Sequence, residues 1–179
     1  MSHRIEIRPY AVADSEPVCA LFAIVNRSIA PPHLKQVFED YIARSIDEEI
    51  GRIGEYYAQR HGSFWVAKDG TDLVGMFGLE RPDAESMELR RMYVSPDARR
   101  RGIGRELLRF AEDHARSLDI RQLHLSTSEL QEAALSLYRK AGYDLVRTEL
   151  ADAASNKTIG GGIRRFHFVK VLSSRQPPE

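Results

Sequence analysis

The stretch ELRRMYVSPDARRRGIGRELL, residues 88–108, decides the fold. A β-rich run ends at Val94 and feeds Ser95-Pro96, three consecutive arginines, Gly102-Ile103-Gly104 and then a helical pattern. Arginine repels arginine, and glycine opens a helix poorly unless something must come close to the backbone. A strand leading through such a turn into a helix aims successive N–H groups at one spot. The helix start adds roughly half a positive charge there, so the turn suits a phosphate or pyrophosphate. Gly102 and Gly104 leave the main chain bare, while Arg99, Arg100, Arg101 and Arg105 offer charge-assisted bonds. A solvated arginine loop with a softened helix start is the other reading of the same residues. A dinucleotide fingerprint is set aside because it needs a third glycine where Leu107 stands. A P-loop needs Gly-Lys followed by Ser or Thr, which is absent.

Outward from this turn the patterns are regular. Upstream, MELRRMYV (87–94) reads as a strand, preceded by GSFWVAK (62–68) and DLVGMFGLE (72–80), a hairpin around Asp69-Gly70. RIEIR (4–8) alternates as a short strand does. Val18, Leu21, Phe22, Val25 and Ile29 form one helical stripe, with Asp14 or Ser15 as its cap and Pro31-Pro32 as its end. Phe38, Ile42, Ile46, Ile50, Ile53 and Tyr57 form a second, and Gly51 and Gly54 predict a kink or break in its far half. Downstream, Leu107, Leu108, Ala111, Ala115 and Leu118 mark a helix and RQLHLST (121–127) a strand. Leu130, Ala134, Leu137, Tyr138 and Ala141 mark another helix, which Gly142 ends. YDLVRTEL (143–150) and IRRFHFVKVL (163–172) close the pattern as strands. The expectation is one α/β domain over residues 1–172 with a frayed tail at 173–179.

Composition excludes several classes. The 179 residues are 42% hydrophobic and 29% charged, as in an ordinary globular protein. Twenty-six basic and 26 acidic residues cancel, so no global field favours nucleic acid or an anionic membrane, and anion binding must be local. The single cysteine, Cys19, excludes an internal disulfide and reads as a structural thiol on the first helix. The start MSHRIEIRPY lacks the apolar core of a signal peptide, and no run approaches the roughly 20 apolar residues of a membrane span. The expected setting is the cytoplasm. The six histidines show no metal spacing, and no metal is expected.

The opening stretch resembles the acetyl-CoA-binding motif of the GNAT N-acetyltransferases, with its [Arg/Gln]-x-x-Gly-x-[Gly/Ala] core at residues 99–104. STSELQEAALSLYRKAGY (126–143) is similar to that family's second landmark, an Ala-x-x-x-Tyr helix leading into Gly and an aromatic. Its Ser-Thr-Ser-x-Leu-Gln-x-Ala-Ala pattern looks like a subgroup acetylating amino-acid-type amines, the camello-like and cysteine-conjugate acetyltransferases.

The resemblance implies a mixed α/β GNAT fold: a twisted sheet of six to seven strands flanked by helices, with the fourth and fifth strands splayed. It implies acetyl-CoA as acyl donor, pyrophosphate on the turn amides from Arg99 through Gly102, Ile103 and Gly104 to Arg105, and pantetheine along Met92, Tyr93 and Val94. Arg100 and Arg101 serve equally for the cofactor or for solvent. Tyr138 matches the family's tyrosine acid beside the thioester sulfur; a packed core tyrosine is the plainer reading. Glu88 is the candidate base, or else a strand-end carboxylate paired with Arg90 or Arg91. Many relatives carry asparagine seven residues before the tyrosine; Gln131 stands there with a longer reach.

The expected partner is an amine-bearing small molecule or peptide, with a homodimer through the closing strands left open. Ser126, Thr127 and Ser128 meet the substrate or cap the next helix. Glu39, Asp40, Asp47, Glu48 and Glu49 attract a cationic amine or form a solvated helix face. A non-catalytic acyl-CoA-binding module on the same fold is the rival reading.

Overall fold

The computed structural model describes residues 5–172. Seven strands form one mixed sheet: β1 (Glu6–Pro9), β2 (Ser63–Asp69), β3 (Asp72–Glu80), β4 (Ser86–Val94), β5 (Gln122–Ser128), β6 (Asp144–Ala151) and β7 (Ile163–Val171). Their spatial order is β1-β2-β3-β4-β5-β7-β6, and every neighbouring pair is antiparallel except β4–β5. That parallel pair requires a crossover, supplied by the glycine turn and helix α4 (Ile103–Ser117). Helices α1 (Ser15–Ile29), α2 (Lys35–Glu48) and α3 (Ile53–Ala58) precede β2, and α5 (Glu132–Lys140) joins β5 to β6. The expected strand at 4–8 forms as Glu6–Pro9, and Arg4 and the tail at 173–179 lie outside the described residues.

Two apolar cores sandwich the sheet. On one face α4 and α5 bury Leu107, Leu108, Ala111 and Leu135 against Phe77, Leu89, Leu125 and Phe168. On the other, α1 to α3 bury Phe22, Phe38, Ile42 and Ile53 against Val66 and Met76. The long second helical pattern breaks as its glycines predict: α2 ends at Glu48, a 3₁₀ turn covers Ile50–Arg52, and α3 follows. Asp14 occupies the N-cap position of α1 but makes no side-chain cap bond. Its carboxylate instead accepts two bonds from Arg8, at 2.7 and 2.8 Å, and one from the Ala11 N–H at 2.9 Å. The first helix is thereby tied to the edge strand.

Strand β4 carries the feature that positions the site. Between the pairs Met76↔Tyr93 and Gly78↔Arg90, β3 has one residue and β4 has two, a β-bulge. Arg91 takes φ = 54°, a left-handed conformation uncommon outside glycine. The bulge places Arg90 and Arg91 on the same sheet face, toward α1–α3, and shifts the alternation for Met92 to Val94.

Candidate active site

The ladder between β4 and β5 runs only from Ser86↔Gln122 to Leu89↔Leu125. Beyond Leu89 the two strands part. The Ser95 N–H donates to the Val74 oxygen on β3, so by alternation Met92 and Val94 turn their peptide groups toward the gap. These groups have no ladder partner on the β5 side. A groove of about 690 Å³ opens there, lined by Met92, Tyr93 and Val94, the turn at Arg99, Arg100 and Gly102 to Arg105, and the start of α5 at Gln131.

The turn has the form its glycines suggest. Gly102 has φ = 78°, which an L-residue adopts only with strain. At Gly104 a Cβ would meet Leu137 Cδ2 at 3.4 Å, an ordinary contact, so the protein's own packing tolerates a side chain there. Arg101 is the exception in the turn: it donates to Asp69 at 2.7 Å and does not line the groove. This assigns it to the β2–β3 hairpin, away from the cofactor position expected for it.

A second cavity, of about 600 Å³, opens on the sheet face toward α1–α3. Its floor is an alternating polar row: Glu88, Arg90 and Arg91 from β4, His124, Ser126 and Ser128 from β5, and Arg165 and His167 from β7. Thr127, between them, hydrogen-bonds through its hydroxyl to Gln131, the N-cap residue of α5. None of the three hydroxyl residues caps α5 itself. The two cavities share Tyr93 and Gln131, at the point where β4 leaves β5.

Glu88 lies in the second cavity, its side chain 30% exposed and 3.4 Å from the Lys157 ammonium. The expected pairing with Arg90 or Arg91 does not occur, because both arginines are engaged elsewhere. Arg90 contacts Glu80, Glu49 at 3.0 Å and the Tyr56 hydroxyl at 2.6 Å. Arg91 donates to Glu49 at 2.7 and 3.1 Å, to the Tyr41 hydroxyl at 2.6 Å, and to the Asn156 carbonyl. Glu49, which the charge run reads as part of a solvated face or an amine lure, is fully buried. Burial pushes its carboxyl up, but Arg91 and Arg90, with the Tyr57 hydroxyl, outweigh that and hold it below the ordinary range. The sequence signal for this cluster was the glycine-marked break after α2, which turns Glu49 inward.

Tyr138 is 5% exposed, on the α5 face that meets Tyr143 and Phe168. It lines neither cavity. Its hydroxyl makes no hydrogen bond among the described residues. Burial raises its pKa well above the ordinary tyrosine value, with a further contribution from Tyr93. Tyr93 sits edge-on to Phe22, and burial, with Tyr41, pushes its own pKa up to about 12. Cys19 is half-buried, with Sγ 3.8 Å from the Ile50 carbonyl, as a structural thiol would be.

Residues 31–143 match the model of the acetyltransferase (GNAT) family. The chain belongs to the GNAT family. It is 39% identical over 97 residues to Probable N-acetyltransferase 14 of Xenopus tropicalis, covering 53% of this chain and 47% of that protein. It is 31% identical over 144 residues to N-acetyltransferase family 8 member 2 of Rattus norvegicus, covering 78% and 62%. The chain thus spans less than two thirds of the length of either relative. A GNAT acetyltransferase from Staphylococcus aureus Mu50 superposes with a TM-score of 0.73 at 20% identity, covering 95% of this chain and all of that one. A GNAT acetyltransferase of Elizabethkingia anophelis, solved with acetyl-CoA bound, gives 0.62 at 16% identity over 96% of this chain and all of that one. These two establish the fold: a seven-stranded mixed sheet flanked by helices. Among the described residues of this GNAT domain, no helix is long and apolar enough to cross a membrane, and no group of three or more His, Cys, Asp or Glu is placed to hold a metal ion.

Proposed function

We propose that this chain is an acetyl-CoA-dependent N-acetyltransferase that moves an acetyl group directly onto the primary amine of a small molecule, amino acid or peptide. The observation that carries this reading is the meeting of two cavities at the β4–β5 gap, with Tyr93 and Gln131 common to both. Acetyl-CoA supplies an activated acyl group and a thiolate leaving group. The residues present fit it: bare amides at the start of α4, clearance at Gly104, and unpartnered peptide groups at Met92 and Val94 that suit an amide-bearing arm. Arg99, Arg100 and Arg105 border the phosphate end of the groove.

The chain's own residues handle the protons. Glu88 takes one from the acceptor ammonium, directly or through water, and Tyr138 donates its phenolic proton at the sulfur. The raised pKa keeps Tyr138 protonated through the neutral range. Amine-dependent thiol release from acetyl-CoA tests the reading. Glu88→Gln is expected to lose about 10²–10⁴ in kcat while still binding coenzyme A. Coenzyme A binding without turnover on any amine or peptide would favour the non-catalytic binding module instead.

A further inference from the structure

The carboxylates lining the second cavity are Asp83, Glu88 and Glu149. Asp83 is occupied by its own turn, accepting from the Glu85 and Ser86 N–H groups at 2.8 Å. Glu149 accepts from Arg147 at 2.8 Å and lies 2.7 Å from the His167 ring. Glu88 differs. Among the described residues its side chain pairs only with Lys157, at 3.4 Å. The carboxylate read as the acceptor's base is thus held by an ammonium of the protein's own. An acceptor amine arrives as a second ammonium, and two like charges at one carboxylate repel.

The backbone that carries Lys157, between β6 and β7, is fastened on both sides. Asn156 accepts from Arg91 through its carbonyl and donates through Nδ2 to Glu49 and to the Tyr56 hydroxyl, each at 3.3 Å. Ile159 is buried in the core under α1–α3. The lysine side chain itself is 45% exposed and keeps its freedom. It also has a second place to go. Its ammonium lies 3.2 Å from Glu80, the register partner of Glu88 across β3–β4. Glu80 already contacts Arg90, with Arg60 at 3.7 Å, so it keeps its counter-charge whether or not the lysine moves.

We propose that Lys157 is an internal competitor for the acceptor amine: its ammonium holds Glu88 while the cavity is empty, and an acceptor ammonium binds by displacing it onto Glu80. The inference rests on the acetyl-transfer reading with Glu88 as base. A half-exposed ion pair is weak, so the latch opens readily and bears on acceptor affinity more than on rate. Removing the lysine should therefore improve acceptor binding. Damage to the loop would weaken binding, so it cannot imitate that gain.

The test is a double-mutant cycle read by binding. The probe is n-butylammonium, a primary amine with no other functional group, added at saturating coenzyme A. Lys157→Met is expected to bind it about 1.5- to 5-fold more tightly than the native protein does. Lys157→Arg, which keeps the cation, should stay near the native value. In a Glu88→Gln background the gain from Lys157→Met should vanish; a gain that persists there would come from the general field of the cavity and overturn the latch. Equal or weaker binding by Lys157→Met, or binding by neither protein, would overturn it too. Turnover gives a separate arm. For a primary amine that is acetylated, Lys157→Met should lower the amine KM by the same factor and leave the acetyl-CoA KM in place. An unchanged amine KM with acetylation intact would overturn the latch and leave acetyl transfer standing. If no amine is acetylated, the acetyl-transfer reading fails, and the binding cycle still decides whether Lys157 holds Glu88 against an amine.

Discussion

Glu49→Gln is expected to lower the unfolding free energy by about 3–5 kcal/mol, because it leaves two buried guanidiniums with their shared counter-charge removed. For a domain of this size that corresponds to a drop of roughly 6–20 °C in Tm. Glu49 is completely enclosed and accepts from Arg90, Arg91 and Tyr57, with Asn156 at 3.3 Å. Glutamine keeps the shape and loses the charge, so the effect isolates electrostatics from packing. The exposed Arg27–Glu39 pair is the control: Glu39→Gln should leave the midpoint in place.

The pH dependence follows from the direction of the shift. The carboxyl of Glu49 titrates below its unfolded value. Its contribution is therefore fully present above the ordinary glutamate pKa and is lost as pH falls through the lower, folded one. The gap in stability between native protein and Glu49→Gln should close under acid, as followed by chemical denaturation at a series of pH values. A Glu49→Gln protein as stable as the native one at neutral pH would contradict the network's role.

Tyr138→Phe is expected to lower kcat and kcat/KM together by about 10²–10⁴, the range for loss of a positioned general acid. Coenzyme A binding should survive, since the hydroxyl makes no hydrogen bond among the described residues and its loss leaves the α5 packing intact. Because burial raises the Tyr138 pKa, the acid stays protonated above the ordinary tyrosine value of about 10, and any alkaline fall in rate below that pH belongs to another group. Tyr93→Phe is the necessary comparison, as Tyr93 borders both cavities and Tyr138 neither. Full turnover in Tyr138→Phe with loss in Tyr93→Phe would move the acid to Tyr93.

Much of the architecture was legible because local signals and tertiary needs agree. The strand–Gly–helix turn, the hairpin before it and the glycine-marked break after α2 all formed where the residues point. The groove at the glycine turn was legible for the same reason, since Gly102 and Gly104 are written into the chain. Arg101 was not: which of three adjacent arginines turns away depends on Asp69, thirty-two residues upstream. Glu49 was hidden because a single acid at the end of a charged run looks solvated until the break reorients it. The bulge at Arg91 left no local mark, and without it Arg90 and Arg91 would alternate to opposite faces. The polar floor was written in the alternation of LHLSTS and RRFHF, but only the register of β5 against β7 sets Ser128 opposite Arg165.

The structure of the protein in complex with coenzyme A most directly tests whether the β4–β5 gap holds the acyl donor. The pyrophosphate is expected on the amides from Gly102 to Arg105, the pantetheine arm bonded to Met92 and Val94, and the sulfur at the junction bordered by Tyr93 and Gln131. Coenzyme A bound away from the β4–β5 gap, or bound there with its sulfur directed out of the second cavity, would contradict it.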